Sequence, residues 1–241
     1  MSARNNPVPA RASPLLCYVT DRHALPATKS WESVVALTRK IDEIISAAVD
    51  WVQIREKDLT AGELASLTRK SIEIAAMSSA KSSRTTRVLV NDRLDIAIAE
   101  RAAGVHLGEK SLPVAEAKRL IESALRGKAV DESFLIGVSC HSLESARAAE
   151  RSGADYIFFG PIFATPSKQR FGPSQGTERL QQVCRAVSIP VLAIGGITLD
   201  NTASCLHAGA AGLAAIRLFQ DALDPISTVE QLRQAIRDSR P

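Results

Sequence analysis

Aromatic residues are scarce in this chain, and several signatures that would fix a function class are missing. Tryptophan, tyrosine and phenylalanine together make up 4% of the 241 residues. There is no run of lysine and arginine, so the net charge of +4 does not indicate a nucleic-acid-binding surface. No stretch reaches the ~18 consecutive apolar residues of a membrane span. We therefore expect neither a nucleic-acid partner nor a membrane segment.

Cysteine is also sparse, and its spacing excludes two kinds of site. The four cysteines are widely separated and form no CxxC pair: Cys17, Cys140, Cys184 and Cys205. This spacing argues against a zinc site and a redox motif, and is typical of small buried residues in a reducing compartment. The first residues lack the apolar core of a signal peptide. We predict a cytoplasmic protein with a disordered N-terminal tail over residues 1–14 and one folded domain over residues 15–241.

Short apolar runs alternate with helical stripes along the folded part. The runs are nearly continuous, which is typical of strands buried on both faces of a parallel sheet. Eight of them are expected, at residues 15–19, 51–55, 87–90, 104–108, 134–141, 156–159, 189–194 and 212–217. They alternate with eight helical segments without a composition break. This order predicts an α/β fold, a single (β/α)8 TIM barrel, rather than a doubly wound sheet with fewer strands.

In a barrel of parallel strands the active site lies at the rim formed by the carboxyl ends of the strands. The charged residues expected there are mostly basic: Arg55, Lys57, Lys168, Arg170 and Arg217 against Asp92 and Glu109. A concave site with this balance is suited to phosphate or diphosphate. The pair Gly195-Gly196 follows strand seven, where barrels often bind phosphate through backbone amides.

The segment DYIFFGPIFATPSK at residues 155–168 joins a buried strand to a polar loop. Thr165, Ser167 and Lys168 lie close together in that loop, and two hydroxyls with an ammonium group suit an anion clamp. Pro166 and Ser167 are equally compatible with a surface turn. The loop alone does not decide between these interpretations.

Other rim residues also have purely structural interpretations. Residues 55–57 are compatible with a solvated charged loop, and Asn91 with Asp92 could cap the following helix. His106 alternates with apolar neighbours, so we expect it to pack inside the barrel. His141 follows an apolar run at the rim, which makes it a candidate for acid/base chemistry.

The ordered set of strand-end motifs resembles the thiamine phosphate synthase/TenI family over about residues 15–237. The motifs are YVTDR at 18–22, QIREK at 53–57, VNDR at 90–93, GVHLG at 104–108, GVSCHSLESA at 137–146, GADYIFFGPIFATPSK at 153–168 and IPVLAIGGIT at 189–198. The resemblance implies a transferase of thiamine biosynthesis. Such an enzyme joins hydroxymethylpyrimidine diphosphate to thiazole phosphate and releases diphosphate.

The resemblance also implies roles for individual residues. The catalytic residues would be Lys168, Arg55, Lys57 and His141. The substrate-binding residues would be Gln53, Asn91, Ser139, Thr165, Ser167, Gly196 and Arg217. Mg²⁺ would be held by Asp92, with Glu109 as a second ligand, because Ser111 stands at the usual second aspartate. Arg217 stands where the synthases usually have a serine for the thiazole phosphate.

These two departures leave another branch of the family open. A TenI-type thiazole tautomerase moves a proton on thiazole carboxylate phosphate through a histidine and without a metal, which fits His141. A barrel that binds thiazole phosphate without catalysis is a third alternative. The array of diphosphate-binding residues favours the synthase. Its partners would be the phosphorylated pyrimidine and thiazole, and the sequence leaves a homo-oligomer open.

Overall fold

A computed structural model describes residues 13–25, 30–80, 84–124, 134–165 and 174–239 of the chain. Eight parallel strands pair in sequence order, and the last pairs with the first, which closes a barrel. The strands are β1 (Leu15–Val19), β2 (Trp51–Ile54), β3 (Arg87–Asn91), β4 (Gly104–Leu107), β5 (Leu135–Cys140), β6 (Tyr156–Phe159), β7 (Val191–Ile194) and β8 (Gly212–Ala215). The predicted (β/α)8 barrel is confirmed. Residues 1–12 of the predicted tail lie outside the described residues.

Helices cover the outside of the barrel. Those in the described ranges are α1 (Ser30–Ser46), α2 (Ala61–Ser79), α3 (Leu94–Ala99), α4 (Val114–Ala124), α5 (Leu143–Arg151), α6 (Gly176–Ala186), α7 (Thr202–His207), α8 (Arg217–Gln220) and α9 (Pro225–Asp238). A 3₁₀ turn spans Arg22–Ala24. None of these helices combines the length and the apolar character that crossing a membrane requires.

The end of the last strand differs from the sequence prediction. We expected strand eight to run to Arg217, but β8 ends at Ala215 and Arg217 opens the short helix α8. The helix turns Phe219 and Gln220 inward, where both are buried. Phe219 packs edge-on against the Tyr18 ring, with centroids 6.1 Å apart. Burial of these two side chains explains why the chain leaves the extended conformation early.

Strand side chains alternate between the barrel interior and the layer beneath the helices, as the pleat requires. The interior cluster contains Leu15, Cys17, Val19, Trp51, Leu89, Leu135, Tyr156, Phe158, Leu192 and Ala214. The same alternation puts Gln53 on the interior side, because it lies two positions beyond Trp51. Asn91 stands in the same relation to Leu89, and Ser139 to Gly137. The polar residues therefore form the uppermost interior layer, at the carboxyl-terminal rim.

A buried ion pair holds the opposite, amino-terminal end of the barrel. The Asp50 carboxylate accepts a hydrogen bond from the Leu16 N–H at 2.8 Å and pairs with Arg233 of α9 at 2.6 Å. Arg233 also donates to the Pro14 carbonyl at 2.9 Å. Because both groups are buried, removing Arg233 would leave the Asp50 carboxylate with the longer contact to Arg84, at 3.9 Å, in place of the close ion pair, and we expect this to be destabilising. The Asp50–Arg233 pair therefore fastens the last helix to the start of the barrel.

Candidate active site

The structure brings most of the predicted site residues to one rim. They follow or end different strands of a single parallel barrel: Gln53, Arg55, Lys57, Asn91, Asp92, Glu109, Ser111, Ser139, His141, Thr165, Gly196 and Arg217. Arg55 is half-buried, whereas Lys57 and Arg217 are exposed. Ser167, Lys168 and Arg170 lie outside the described residues, so the second half of the anion clamp stays a prediction.

A chain of hydrogen bonds crosses the rim from β2 to the loop after β4. Gln53 Nε2 donates to Asn91 Oδ1 at 3.0 Å, and Asn91 Nδ2 donates to Asp92 Oδ2 at 2.8 Å. Asp92 Oδ1 accepts from the Gly108 N–H at 2.9 Å and from the Ser111 hydroxyl. Three separate segments of the sequence, at residues 53, 91–92 and 108–111, thus meet around one carboxylate.

The helix-cap interpretation of the Asn91-Asp92 pair is wrong. The residue at the N-cap of α3 is Arg93, which makes no side-chain cap hydrogen bond. Asp92 has a φ of 59°, in the left-handed region that aspartate tolerates better than most residues. The carboxylate lies against Gly108 and Ser111 of the next strand end instead of the helix terminus.

Asp92 is held in its ionised form. Burial acts to raise its pKa, but the hydrogen bonds from Ser111, Gly108 and Asn91, with the charge of Lys57, outweigh burial and hold the pKa of Asp92 below its ordinary value. A half-buried, ionised carboxylate beside basic residues is a suitable ligand for a hard cation.

The donors around Asp92 decide how a magnesium ion would fit. Each carboxylate oxygen has two acceptor positions. Oδ1 uses both, on Gly108 and Ser111, while Oδ2 uses one, on Asn91. Counting only the contacts between described residues, one acceptor position on Oδ2 is left, and it is available to a metal ion. Mg²⁺ in phosphate sites commonly takes one or two carboxylates and completes its shell with water and substrate phosphate, so Asp92 fits such an ion.

Ser111 contacts Asp92, whereas Glu109 is exposed. Across the described ranges no group of three His, Cys, Asp or Glu side chains could enclose a metal. Glu109 as a second ligand therefore stays a prediction.

Gln53 carries an unusual buried acceptor. Its side chain is 1% exposed, and within the ranges that the structure describes its Oε1 has no hydrogen-bond partner. A buried acceptor without a donor costs free energy, on the order of 1–3 kcal/mol. Such an atom at the rim of a barrel is a candidate for a ligand N–H.

Ser139 and His106 form a second polar cluster beside the first. His106 Nε2 lies 2.9 Å from Ser139 Oγ, and His106 Nδ1 lies 3.1 Å from the Tyr156 hydroxyl. The prediction that His106 packs inside the barrel is confirmed, since it is 1% exposed. Sequence reasoning missed Tyr156, because the YIFF run reads as a purely apolar strand. The tyrosine in that run was the available signal, because a buried phenol hydroxyl needs a hydrogen-bond partner.

One ring nitrogen of His141 is already engaged in a hydrogen bond. Its Nδ1 is hydrogen-bonded to the carbonyl oxygen of Gly160, which can only accept, so Nδ1 carries the proton. The neutral ring then has an unprotonated Nε2, which is the form of a base. The backbone N–H of His141 donates to Ser145 Oγ at 3.2 Å, which ties this residue to the start of α5.

The turn after β7 requires its two glycines. Gly195 and Gly196 have φ of 97° and 68°. A Cβ on Gly196 would lie 2.8 Å from Phe163 Cβ and 2.9 Å from the Ala164 carbonyl oxygen. In the part of the chain that the structure describes, no residue accepts a hydrogen bond from the Gly196 N–H. The turn therefore presents a backbone donor, close to the β6 loop.

A buried ionic network supports the β2 end of the rim. Glu56 is 4% exposed, accepts from Thr20 Oγ1 at 2.6 Å and pairs with Arg22 at 3.1 Å. The Arg55 N–H donates to the same Thr20 hydroxyl at 2.9 Å. The solvated-loop interpretation is therefore wrong for Glu56, although Lys57 beyond it is exposed. The network fixes the backbone that presents Arg55.

Comparisons with known proteins give a consistent result. The profile of a family described as thiamine monophosphate synthase matches residues 16–219. The thiamine-phosphate synthase of Anaeromyxobacter dehalogenans is 41% identical over 189 residues, which cover 78% of this chain and 78% of that protein. The thiamine-phosphate synthase of Moorella thermoacetica is 36% identical and covers 87% of this chain and 98% of that protein. The solved thiamine phosphate pyrophosphorylase of Pyrococcus furiosus has a TM-score of 0.76 at 28% identity, covering 94% of this chain and 97% of its own.

Proposed function

This chain belongs to the thiamine monophosphate synthase family, and we propose that it condenses hydroxymethylpyrimidine diphosphate with thiazole phosphate to form thiamine phosphate and diphosphate. The observation that carries the proposal is the hydrogen-bonded chain from Gln53 through Asn91 to Asp92. Within the described residues, this hydrogen-bonded chain contains an amide oxygen without a hydrogen-bond partner and an ionised carboxylate, at the same rim as Arg55 and Lys57, which follow β2.

The charge at the rim supports departure of diphosphate from the pyrimidine methylene carbon. The C–O bond breaks with its electron pair going to diphosphate, so positive charge must be in place before the bond opens. Arg55 and Lys57 supply it from the end of β2, and Lys168 is proposed to complete the set. When bound at Asp92, Mg²⁺ supplies further positive charge against the diphosphate oxygens.

The pyrimidine is recognised by groups of the upper interior layer. Gln53 Oε1 accepts a hydrogen bond from the exocyclic amino group of the pyrimidine, which satisfies the buried acceptor. Ser139, Thr165 and Ser167 contact the pyrimidine substrate and its phosphates. With the ring fixed, the carbon that loses diphosphate faces the second substrate.

The thiazole phosphate binds on the other side of the rim. The Gly196 N–H donates to its phosphate, and Arg217 at the start of α8 pairs with the phosphate in place of the serine that the family usually has. The lone pair of the thiazole nitrogen then forms the new C–N bond to the pyrimidine carbon. Holding both partners at one rim makes this step effectively intramolecular.

The test is incubation with both substrates and Mg²⁺, with thiamine phosphate and diphosphate measured as products. Lys57→Ala is expected to lower kcat by about 100-fold, since it removes a charge that acts on the leaving group. Lys70→Ala is the matched control, because Lys70 is an exposed lysine of α2, paired with Glu73. No product beside a competent control enzyme, or an equal loss in both variants, contradicts the proposal.

The TenI-type tautomerase is a second candidate, favoured by the state of His141. With Nδ1 donating to Gly160, Nε2 is ready to take a proton. This candidate predicts that the protein aromatises thiazole carboxylate phosphate in EDTA and that His141→Asn abolishes the reaction. A synthase that shows neither property excludes it. Binding of thiazole phosphate without turnover of any substrate would instead identify a non-catalytic barrel.

A further inference from the structure

Three residues on neighbouring strands lie in one row across the barrel interior. His106 of β4 pairs in register with Gly137 of β5, and Gly137 pairs with Tyr156 of β6. A Cβ on Gly137 would lie 2.0 Å from the Tyr156 ring carbon Cζ. The glycine therefore leaves the space in which the tyrosine ring lies. Through that space the phenol reaches the imidazole, with the hydroxyl 3.1 Å from His106 Nδ1.

The imidazole continues the row up to the rim. His106 Nε2 lies 2.9 Å from the hydroxyl of Ser139, which is half-buried at the end of β5. The Phe158 ring packs against the imidazole, with centroids 4.2 Å apart. The imidazole is thus held from two directions by hydrogen bonds and from the side by an aromatic ring. It connects the closed core of the barrel to a hydroxyl at the candidate site.

The partners at the closed end set the direction of the hydrogen bonds. Burial raises the pKa of Tyr156 well above its ordinary value, so the phenol keeps its proton. Within the described ranges the Tyr156 hydroxyl has no acceptor other than His106 Nδ1. Nδ1 therefore accepts, and the neutral ring carries its proton on Nε2, which donates to Ser139 Oγ. The Ser139 hydroxyl hydrogen is then left to point elsewhere.

We propose that His106 and Tyr156 are positioning residues that turn the Ser139 hydroxyl hydrogen outward, so that Ser139 donates to an oxygen of diphosphate bound at the rim. An anionic diphosphate oxygen can only accept a hydrogen bond. If the Ser139 hydrogen pointed at His106, Ser139 would present only its lone pairs to that oxygen, and the two oxygens would repel each other. The reversed chain would therefore weaken diphosphate binding. The inference rests on the proposed function for the identity of the ligand, but the hydrogen-bond direction belongs to the ligand-free protein.

The first experiment reads the tautomer directly. Long-range ¹H–¹⁵N NMR of the full chain resolves its four histidines, and the His106→Asn spectrum assigns the signal that disappears. We expect His106 protonated on Nε2 only. His141 is the internal reference, because its bond to the Gly160 carbonyl predicts the opposite, Nδ1-protonated ring. A His106 ring protonated on Nδ1, or on both nitrogens, overturns the proposal.

The second experiment is a double-mutant cycle on the affinity for inorganic diphosphate with Mg²⁺, measured by calorimetry. Tyr156→Phe keeps the ring and removes the directing hydroxyl. It is expected to weaken binding about fivefold when Ser139 is present and by less than twofold when Ser139 is alanine, because its effect passes through the serine. A merely structural role would give equal factors in both backgrounds, and that result overturns the proposal.

The two experiments separate failure of this inference from failure of the proposed function. If the protein makes no thiamine phosphate but His106 is protonated on Nε2 and the cycle shows coupling, the function is wrong and the positioning role stands. If thiamine phosphate forms and the factors in the cycle are equal, the positioning role is wrong and the function stands.

Discussion

Replacing Ser111 by aspartate is the sharpest perturbation of the candidate metal position. The Ser111 hydroxyl is in hydrogen-bond contact with Asp92 Oδ1, so an aspartate would bring a second carboxylate to within about 4 Å of the first. Two like charges at that distance repel by ~4 kcal/mol at an effective dielectric of about 20. Because Asp92 is half-buried and the new side chain can turn toward solvent, we expect a loss of ~2–3 kcal/mol, which includes the lost hydroxyl hydrogen bond.

The assay is thermal unfolding with and without divalent cation. For a chain of this length, that loss corresponds to a fall in Tm of about 5–10 °C in EDTA. Mg²⁺ should restore most of the lost Tm of the Ser111→Asp variant, because the cation neutralises the two neighbouring carboxylates. It should raise the Tm of the wild-type protein by a smaller amount. Ser111→Asn is the matched control, with similar volume and no charge. If the aspartate and asparagine variants melt within about 2 °C of each other in EDTA, the reasoning about this position is refuted.

Two further predictions concern stability. The pKa of Asp92 is lower in the folded chain than its ordinary value of 3.8, so its stabilising contribution is complete above pH 3.8 and is lost as the pH falls through the folded value. Urea unfolding between pH 5 and pH 3 should therefore show a smaller pH dependence in Asp92→Asn; an unchanged dependence contradicts this. Gly137→Ala should lower the free energy of unfolding by about 1–3 kcal/mol, because the new methyl meets the Tyr156 ring. Gly62→Ala is the control, since a Cβ there meets nothing within 4 Å. If the Gly137→Ala and Gly62→Ala variants have equal melting temperatures, the expected clash with Tyr156 is contradicted.

The fold could be predicted from the sequence because strands buried in a parallel sheet appear there as nearly continuous apolar runs. Each predicted run lies near an observed strand, and those of the polar residues after the runs that the structure describes lie at one rim, as expected. The exception was β8, where the burial of Phe219 and Gln220 decides the strand end. That burial depends on contacts with β1, some 200 residues earlier, which no local pattern contains.

The candidate site was only partly accessible. Sequence reasoning identified Asp92 but left a helix cap open, because the choice depends on a contact with Ser111 on another strand end. It placed His106 inside the barrel yet missed the bond to Tyr156, which lies 50 positions later in the chain. Strand register and the space left by Gly137 create that bond, and both follow from barrel closure rather than from local sequence.

The barrel is fastened at both ends by separate buried ion pairs, Asp50 with Arg233 below and Glu56 with Arg22 above. This division has a practical consequence for engineering and for natural divergence. The lower pair shares no residue with the candidate site at the opposite rim. Substitutions at Asp50 or Arg233 can therefore change the stability of the barrel while the residues of the candidate site stay the same.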